Sequence, residues 1–436
     1  MGIDEKKSRL FNKKQLSLKQ NFSWTIIGNI ISAGCKWVIL VIIAKFGTPQ
    51  MLGIYTLGYA ITAPIFMLTN LQLRAIQSTD VKNEYSFSHY FKLRMITNVI
   101  GLLVVVFLMF VLDYDTETVY VVIFVAIIKY VDSISDIFYG QMQKHERMDF
   151  ISKSMIIREV FALFLFSIVL IYLNNLIYSL IAFTLVYLII VLTYDVIVSF
   201  NLQKCIKKIS FIDYILFLLT NWDKLKLKKL LILSLPLGIG VFLGSLVTNI
   251  PRYLVDYFLG KESLGYFAAI AYFVIGFSTF FKAVGQAARP RLSKYFFNNF
   301  EQYIKLVYKL ILVNLCFSLM FFVISIVAGK EILTILYSPS YGRYWKTLIW
   351  ISVALIFQSV SNLLQIAIQS AQVYNVQIFI SLFTIMISVI VGILLIPIKA
   401  VEGAGLTILI YSIVNTVVVA FIFFKIARAQ ILKEQN

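Results

Sequence analysis

Apolar residues run on in this chain over stretches that are too long and too uniform for a water-soluble fold. Residues 102–111 and residues 376–396 contain no charged side chain at all. A helix crosses a bilayer with about 20 apolar residues, and only helices or closed barrels satisfy their backbone in hydrocarbon. A barrel would alternate apolar and polar residues with a period of two, and these stretches do not. Because 60% of the chain is apolar and 14% is charged, most of its surface must face lipid. The sequence predicts an all-α membrane protein.

About twelve spans are predicted, in two lobes of six helices. The first lobe comprises residues 1–200, a basic cytoplasmic linker residues 201–229, and the second lobe residues 230–436. The predicted spans are residues 22–44, 51–72, 95–112, 118–139, 156–173, 176–198, 230–250, 264–281, 310–328, 348–368, 376–396 and 404–424.

Most of the 39 Lys and Arg residues fall in alternate loops. Cytoplasmic loops carry such an excess, so we expect both termini in the cytoplasm. The net charge of +18 then reflects topology and not a nucleic-acid partner. The linker 201–229 has two readings, an amphipathic helix on anionic lipid or a solvated connection.

A short internal repeat appears when the chain is shifted by 212 residues. FGTPQMLGIYTLGYA (46–60) follows the first span, and FLGKESLGYFAAIAY (258–272) follows the seventh. Six spans separate the two copies, so both point the same way. Parallel repeats of this kind occur in transporters that bind their substrate between two halves.

Ionisable residues within spans are costly and usually face the protein interior or a wet cavity. Lys36 lies in the middle of span 1 with no acidic residue within one turn, so its partner comes from another helix or from a ligand. Lys129, Asp132 and Asp136 share a face of span 4. Lys129 and Asp132 either neutralise each other or form a coupling-ion or gating site with Asp136.

Uncharged polar stripes accompany these charges. They are either contacts between helices or groups for a ligand. Phosphate is bound by Lys and Arg, and amides suit sugar hydroxyls. No catalytic or metal-ligating set is apparent, because the three cysteines lack metal or redox spacing and the longest outer loops, 251–263 and 330–345, are short for a site that acts on a sugar. A membrane glycosyltransferase or polymerase is therefore disfavoured, and no cofactor is expected.

Four stretches carry a resemblance to a known family: LTNLQLRAIQSTD (68–80), DSISDIFYGQMQKHERMDF (132–150), NIPRYLVDYFLGKESLGYFAAIAYF (249–273) and GQAARPRLSKY (285–295). In these the chain resembles the Wzx-type polysaccharide flippases of the multidrug/oligosaccharidyl-lipid/polysaccharide exporter superfamily. The resemblance implies a MATE-like fold, a central cavity lined by spans 1, 2, 7 and 8, and alternating access. The implied substrate is an undecaprenyl-diphosphate-linked oligosaccharide repeat unit, flipped outward for capsule, exopolysaccharide or O-antigen synthesis.

The resemblance also implies where the substrate would bind. The cations of the substrate site would be Lys36, Arg74 and Arg252. Coupling to H⁺ or Na⁺ at Lys129, Asp132 and Asp136 is a separate inference, drawn from the face of span 4 that these three residues share. The expected partners are membrane lipid, the lipid-linked glycan and a polysaccharide polymerase. The alternative is an exporter of drugs or of another lipid-linked precursor on the same fold; a drug exporter would need an acidic cavity for cationic drugs. The polar residues expected to complete the substrate site are Asn29, Asn70, Gln286, Gln358, Asn362 and Gln365.

Overall fold

The computed structural model describes residues 16–80, 82–204, 210–220, 222–371, 373 and 376–435. Over these ranges the chain is helical and has no strand, so the predicted all-α class is confirmed. The helices are α1 (Leu18–Phe46), α2 (Pro49–Thr69), α3 (Leu73–Thr79), α4 (Phe87–Val111), α5 (Thr116–Lys144), α6 (Met148–Leu173), α7 (Leu176–Ile190), α8 (Val196–Lys204), α9 (Phe211–Leu219), α10 (Lys224–Asn298), α11 (Phe300–Leu336), α12 (Pro339–Gly342), α13 (Trp345–Ser370) and α14 (Val376–Gln435). A π-helical turn, Val191–Asp195, joins α7 to α8.

Nine helical stretches in the described part of the chain are long and apolar enough to cross a membrane. Two of them, within α10 and α14, are 55 residues long and each overlaps two predicted spans. Non-helical residues interrupt both helices, Gly260 in α10 and Ala400 in α14. Helix α5, which carries the predicted charged stripe, is not among the nine. The chain is a multi-pass membrane protein, and the count of twelve spans stays a prediction.

Helix α14 folds back on itself at Ala400. Its residues on either side of that point meet in antiparallel order, because the Thr384 hydroxyl donates to Asn415 Oδ1 at 3.1 Å. Nearer the turn, a Cβ added to Gly392 would lie 3.5 Å from Thr407 Cγ2. In a straight helix these pairs would be tens of ångströms apart at about 1.5 Å per residue. The two predicted spans within α14 are therefore the arms of a hairpin.

The chain forms two compact units. The first contains the described residues up to Ile42 together with Gly58–Phe242. The second contains Ile43–Leu57 together with the described residues from Leu243 onward. The start of α2 thus belongs to the same unit as most of α10. The predicted lobe boundaries at residues 200 and 230 stay predictions.

Within the second unit, α2 and α10 approach each other at two glycines. A Cβ on Gly53 would lie 1.8 Å from the carbonyl oxygen of Lys261, and a Cβ on Gly265 would lie 1.9 Å from that of Pro49. Only glycine permits backbones to come this close. A shift of 212 residues converts Gly53 into Gly265 and Pro49 into Lys261, so the two contacts are equivalent under the offset that the sequence repeat predicts.

The first unit is built around α5, which packs against α3, α4, α6 and α7. Asp115 caps the start of α5 by accepting a hydrogen bond from the Thr118 backbone N–H at 3.1 Å. Asn175 caps α7 in the same way. Because α5 lies among four other helices, its polar stripe faces protein.

Candidate functional site

The first unit contains a cavity of about 560 Å³. Side chains from α1, α3, α5 and α6 contribute its ionisable groups, and residues of α2 and α10 complete the wall. This volume lies within the roughly 300–1,000 Å³ that is usual for small-molecule sites. Its lining residues are Lys36, Met67, Asn70, Gln72, Arg74, Ala75, Asp132, Ser133, Asp136, Tyr139, Gln143, Met155, Arg158 and Val241.

A break between α2 and α3 brings Arg74 to the cavity. Leu71 and Gln72 have left-handed backbones with φ of 51° and 50°, so α2 ends and α3 begins in a new direction. A Cβ on Gly140 of α5 would lie 3.4 Å from Arg74 Cα, so this glycine allows α3 to approach α5 closely. Asn70 lies near the end of the predicted span 51–72. The structure corrects that span, because α2 ends at Thr69.

Asp136 holds two arginines at one side of the cavity. Its Oδ1 lies 3.3 Å from Arg74 Nη1, and its Oδ2 lies 3.1 Å from Arg94 Nη2. Arg74 also donates to Gln143 Oε1 at 2.9 Å. The fully buried Arg94 donates to the backbone and side-chain oxygens of Asn70. Asn70 is thereby fixed by Arg94 while it remains on the cavity wall.

At the other side of the cavity, Arg158 of α6 binds two carboxylates. Its Nη2 lies 2.7 Å from Asp132 Oδ1 and 3.6 Å from Glu159 Oε1. The same oxygen of Glu159 lies 3.3 Å from Lys36 Nζ and accepts the Tyr187 hydroxyl at 2.8 Å. The Lys36 side chain is 44% exposed, whereas Glu159 is completely buried. Lys36 therefore presents an accessible ammonium whose partner comes from another helix.

Arg158 keeps unused donor capacity. Its guanidinium carbon lies 4.3 Å from the ring centroid of Tyr187 and 5.9 Å from that of Tyr139. The aromatic faces stabilise the cation without occupying its N–H groups. In the described part of the chain, Arg158 Nε and Nη1 are buried and have no hydrogen-bond partner. A buried guanidinium with free donors is suited to an incoming anion.

The cavity wall has an excess of positive charge. Three cations, Lys36, Arg74 and Arg158, and two carboxylates, Asp132 and Asp136, line it. The formal excess is one positive charge. Each carboxylate is bound to an arginine, so an anion would enter a region whose acidic groups are already neutralised.

The structure brings five of the predicted site residues to this cavity: Lys36, Asn70, Arg74, Asp132 and Asp136. Lys129 does not line it; its Nζ lies 5.0 Å from the ring centroid of Tyr59. The ion pair of Asp132 in the structure is with Arg158, and the pairing of Lys129 with Asp132 stays a prediction. Asn29 is exposed on α1.

The remaining predicted residues belong to the second unit. Arg252 is buried and donates to Asn249 Oδ1 at 2.8 Å. Gln358 donates to Ser412 Oγ at 3.0 Å, and Gln365 accepts from Gln377 at 2.6 Å. Asn362 is half-buried on the same helix. Gln286 lies within α10, but its side chain is outside the described part of the structure.

Sequence reasoning missed Arg94, Arg158 and Glu159. The sequence pattern assigned no role to any of the three. The helices extend further than their apolar windows: α4 begins at Phe87 and α6 at Met148, each eight residues before its predicted span. Two adjacent residues of opposite charge lie in the first turn of a predicted span, Arg158 and Glu159. This is a sequence signal that could have identified these two.

Comparisons with known proteins agree on one kind of molecule. Residues 18–296 match the family described as "Polysaccharide biosynthesis protein". The capsular polysaccharide biosynthesis protein CapF of Staphylococcus aureus is 31% identical over 403 residues, which cover 91% of this chain and 96% of CapF.

Two solved structures have the same fold. The lipid II flippase MurJ in an inward closed conformation superposes with a TM-score of 0.73 at 14% identity, over 94% of this chain and 91% of MurJ. An inward-facing multidrug resistance MATE family transporter of the MOP superfamily gives a TM-score of 0.72 at 13% identity, over 93% and 98% of the two chains. The predicted MATE-like fold is confirmed.

Proposed function

This chain belongs to the polysaccharide biosynthesis protein family, and from that premise we propose that it flips an undecaprenyl-diphosphate-linked oligosaccharide repeat unit. The direction is from the cytoplasmic to the outer leaflet of a bacterial inner membrane, by alternating access. The observation that carries this proposal is the cationic cavity of the first unit, with Lys36, Arg74 and Arg158 on its wall. The product would serve capsule, exopolysaccharide or O-antigen synthesis.

The diphosphate is the part of the substrate that this cavity suits. Arg158 lies on the cavity wall, and its buried Nε and Nη1 have no hydrogen-bond partner among the described residues. Its planar guanidinium has the geometry that arginine uses for phosphate oxygens. Lys36 offers an exposed ammonium as a second cation. Asp132 and Asp136 hold the arginines in place before the substrate arrives. The diphosphate then competes with these carboxylates for the same cations.

The other parts of the proposal concern the glycan and the driving force. Amides of the second unit, Gln358, Asn362 and Gln365, are suited to sugar hydroxyls. Asp132 and Asp136, with Lys129, are the candidate site for coupling to H⁺ or Na⁺. Release outside would be completed by a polymerase that consumes the flipped lipid.

A drug exporter is the competing proposal, because multidrug transporters have this fold as well. Fold alone does not separate the two, but the charge of the cavity supports the lipid-linked substrate. A cationic drug entering the first unit would face a formal positive excess and carboxylates already occupied by arginine. An anionic lipid would be attracted by the same positive excess.

The test is a flipping assay in proteoliposomes with an undecaprenyl-diphosphate-linked glycan, with and without proton and sodium gradients. Lys36→Ala and Arg158→Gln should each slow flipping by about ten-fold or more, since a charge-assisted contact is worth roughly 1.5–3 kcal/mol. Lys305→Ala is the matched control, because Lys305 is exposed and its ion pair is with Glu301 on its own helix.

Two outcomes would overturn the proposal. Unchanged flipping by Lys36→Ala, at normal abundance in the membrane, would remove the role given to this lysine. Absence of movement for several such lipids, together with normal expulsion of a cationic dye, would favour drug export. Gradient dependence of flipping would identify the coupling ion.

A further inference from the structure

Helix α9 is fixed to the first unit by one of its faces. Tyr214 and Leu218 are buried, and the Tyr214 hydroxyl lies 2.7 Å from Ser199 Oγ. Ser88 of α4 donates to the Phe217 carbonyl at 2.9 Å, and Lys92 of α4 donates to the Thr220 carbonyl just beyond α9. Helix α9 is thus a docked element, which argues against the reading of this part of the linker as a freely solvated connection.

The opposite face of this segment is apolar and exposed. Ile212 and Leu216 lie one turn apart on α9 and are 69% and 50% exposed. Trp222, just before α10, is 54% exposed, and Leu225, in the first turn of α10, is 75% exposed. We call these four side chains the α9 surface. Several large apolar side chains exposed within one short segment usually mark a site that another molecule or a membrane covers.

A group of lysines borders the α9 surface. Lys224, Lys226, Lys228 and Lys229 are all exposed in the first turns of α10. Immediately after them Leu231, Ile232 and Leu233 are exposed and apolar, in a stretch long enough to cross a membrane. The change from lysine to leucine along one helix marks the level at which polar headgroups give way to acyl chains. The α9 surface lies next to this level in sequence and is held there by α4.

We propose that the α9 surface inserts into the headgroup region of the bilayer and that the neighbouring lysines bind anionic phospholipid. The apolar side chains enter the boundary between headgroups and acyl chains, and the four ammonium groups pair with lipid phosphates. The occupant is therefore the bulk anionic phospholipid of the leaflet that the lysines face, which the sequence predicts to be the cytoplasmic one. Lys92 stabilises the arrangement, since its Nζ also lies 5.6 Å from the ring centroid of Trp222.

A fluorescent label at the α9 surface tests this. In full-length protein with its three cysteines replaced by serine, Ile212→Cys carries an environment-sensitive dye, in nanodiscs of phosphatidylcholine with or without phosphatidylglycerol. We expect blue-shifted emission and quenching by nitroxide-labelled lipid, both stronger with phosphatidylglycerol. Glu301→Cys is the control position, because its side chain is 76% exposed in the first turn of α11; its label should respond to an aqueous quencher only.

The role of the lysines is tested with one variant that combines four substitutions: Lys224→Gln, Lys226→Gln, Lys228→Gln and Lys229→Gln. This variant should lose the extra quenching that phosphatidylglycerol causes and keep the quenching seen in phosphatidylcholine. A label at residue 212 that responds only to the aqueous quencher would overturn the proposal. In detergent, shielding of this label from the aqueous quencher that increases with protein concentration would also overturn the proposal, because a second copy of the protein would then cover the α9 surface. A label at Leu225→Cys repeats the measurement if the first variant folds poorly.

Discussion

Glu159 is a residue whose substitution should change the stability of the protein and the binding of an anion in opposite directions. It is completely buried, and its Oε1 is shared by Lys36, Arg158 and Tyr187. Without its charge, the two cations would face each other across a neutral side chain. The native carboxylate therefore lowers the positive charge of the cavity at the same time as it holds the cavity together.

We predict that Glu159→Gln lowers the free energy of unfolding by about 3 kcal/mol, because it leaves buried Arg158 with one carboxylate fewer. The proposed substrate, an undecaprenyl-diphosphate-linked glycan, should raise the melting temperature of this variant more than that of the wild type, since it supplies the missing negative charge. Thermal unfolding in detergent, with and without the lipid, measures both effects. Glu301→Gln is the control, because that exposed pair is solvated; equal melting temperatures for all three proteins would contradict the prediction.

At the residue scale, Lys36 was predicted and Arg94 and Arg158 were missed. Lys36 lies in the middle of a predicted span, and nothing nearby in sequence could neutralise it. Arg94 lies just before one predicted span and Arg158 in the first turn of another, and hydropathy does not reveal that both helices begin eight residues before those spans. Eight additional residues correspond to about 12 Å of helix, enough to move a side chain from the membrane surface into the interior.

Among the elements, the crossing of α2 and α10 depends on Gly53. Its backbone approaches Lys261 so closely that any side chain would require the two helices to separate. We predict that Gly53→Ala abolishes or strongly reduces the yield of monodisperse protein. Gly34→Ala is the matched control, because a Cβ at Gly34 would meet nothing within 4 Å and alanine favours the helix by about 1 kcal/mol. If Gly53→Ala and Gly34→Ala gave equal yields and melting temperatures, the close contact of α2 with α10 at Gly53 would be disproved.

A second element-scale feature is the turn between α3 and α4, which Asp80 holds. Its carboxylate accepts from the backbone N–H groups of Glu84 and Tyr85 at 3.0 and 3.2 Å and from the Tyr90 hydroxyl at 3.2 Å. Burial alone would raise the pKa of Asp80. The hydrogen bonds and Lys144, 3.9 Å away, outweigh it and hold the pKa below the ordinary 3.8.

Because the pKa of Asp80 is lower in the folded state, its ionised form contributes stability above the unfolded pKa, and this contribution is lost as pH falls through the folded pKa. We predict that Asp80→Asn lowers the melting temperature at neutral pH and that the difference from wild type closes below about pH 4. Thermal unfolding between neutral pH and about pH 3 measures this. A difference that stays constant over this range would show that the charge of Asp80 is not involved.

At the scale of the whole molecule, the fold class follows from the sequence because the bilayer permits so few structures. Long uncharged runs can only be helices in lipid, and this is what the structure has. The assignment of residues to the two units could not be derived in the same way. Residues 43–57 belong to the second unit, and that depends on the fit of Gly53 against α10, which no periodicity in the sequence describes.

The distribution of Lys and Arg predicts both termini in the cytoplasm. A fluorescent protein that folds only in the cytoplasm should therefore fluoresce when fused after Asn436. Alkaline phosphatase, which is active only outside, should be active when inserted at Ala400, in the turn of the α14 hairpin. Activity of the phosphatase at the C-terminus, with no activity at Ala400, would reverse the orientation and with it the proposed direction of flipping.

The paired contacts at Gly53 and Gly265 also bear on how such a chain could arise. Each glycine meets the residue that corresponds to position 49 of the other copy, so one sequence can satisfy both contacts. A half-length ancestor would need a single glycine to associate with a second molecule of itself. Gene duplication and fusion would then preserve the contact without any new complementary substitution. Descendants would be free to make one half cationic and the other rich in amides, while both glycines stayed under the same constraint.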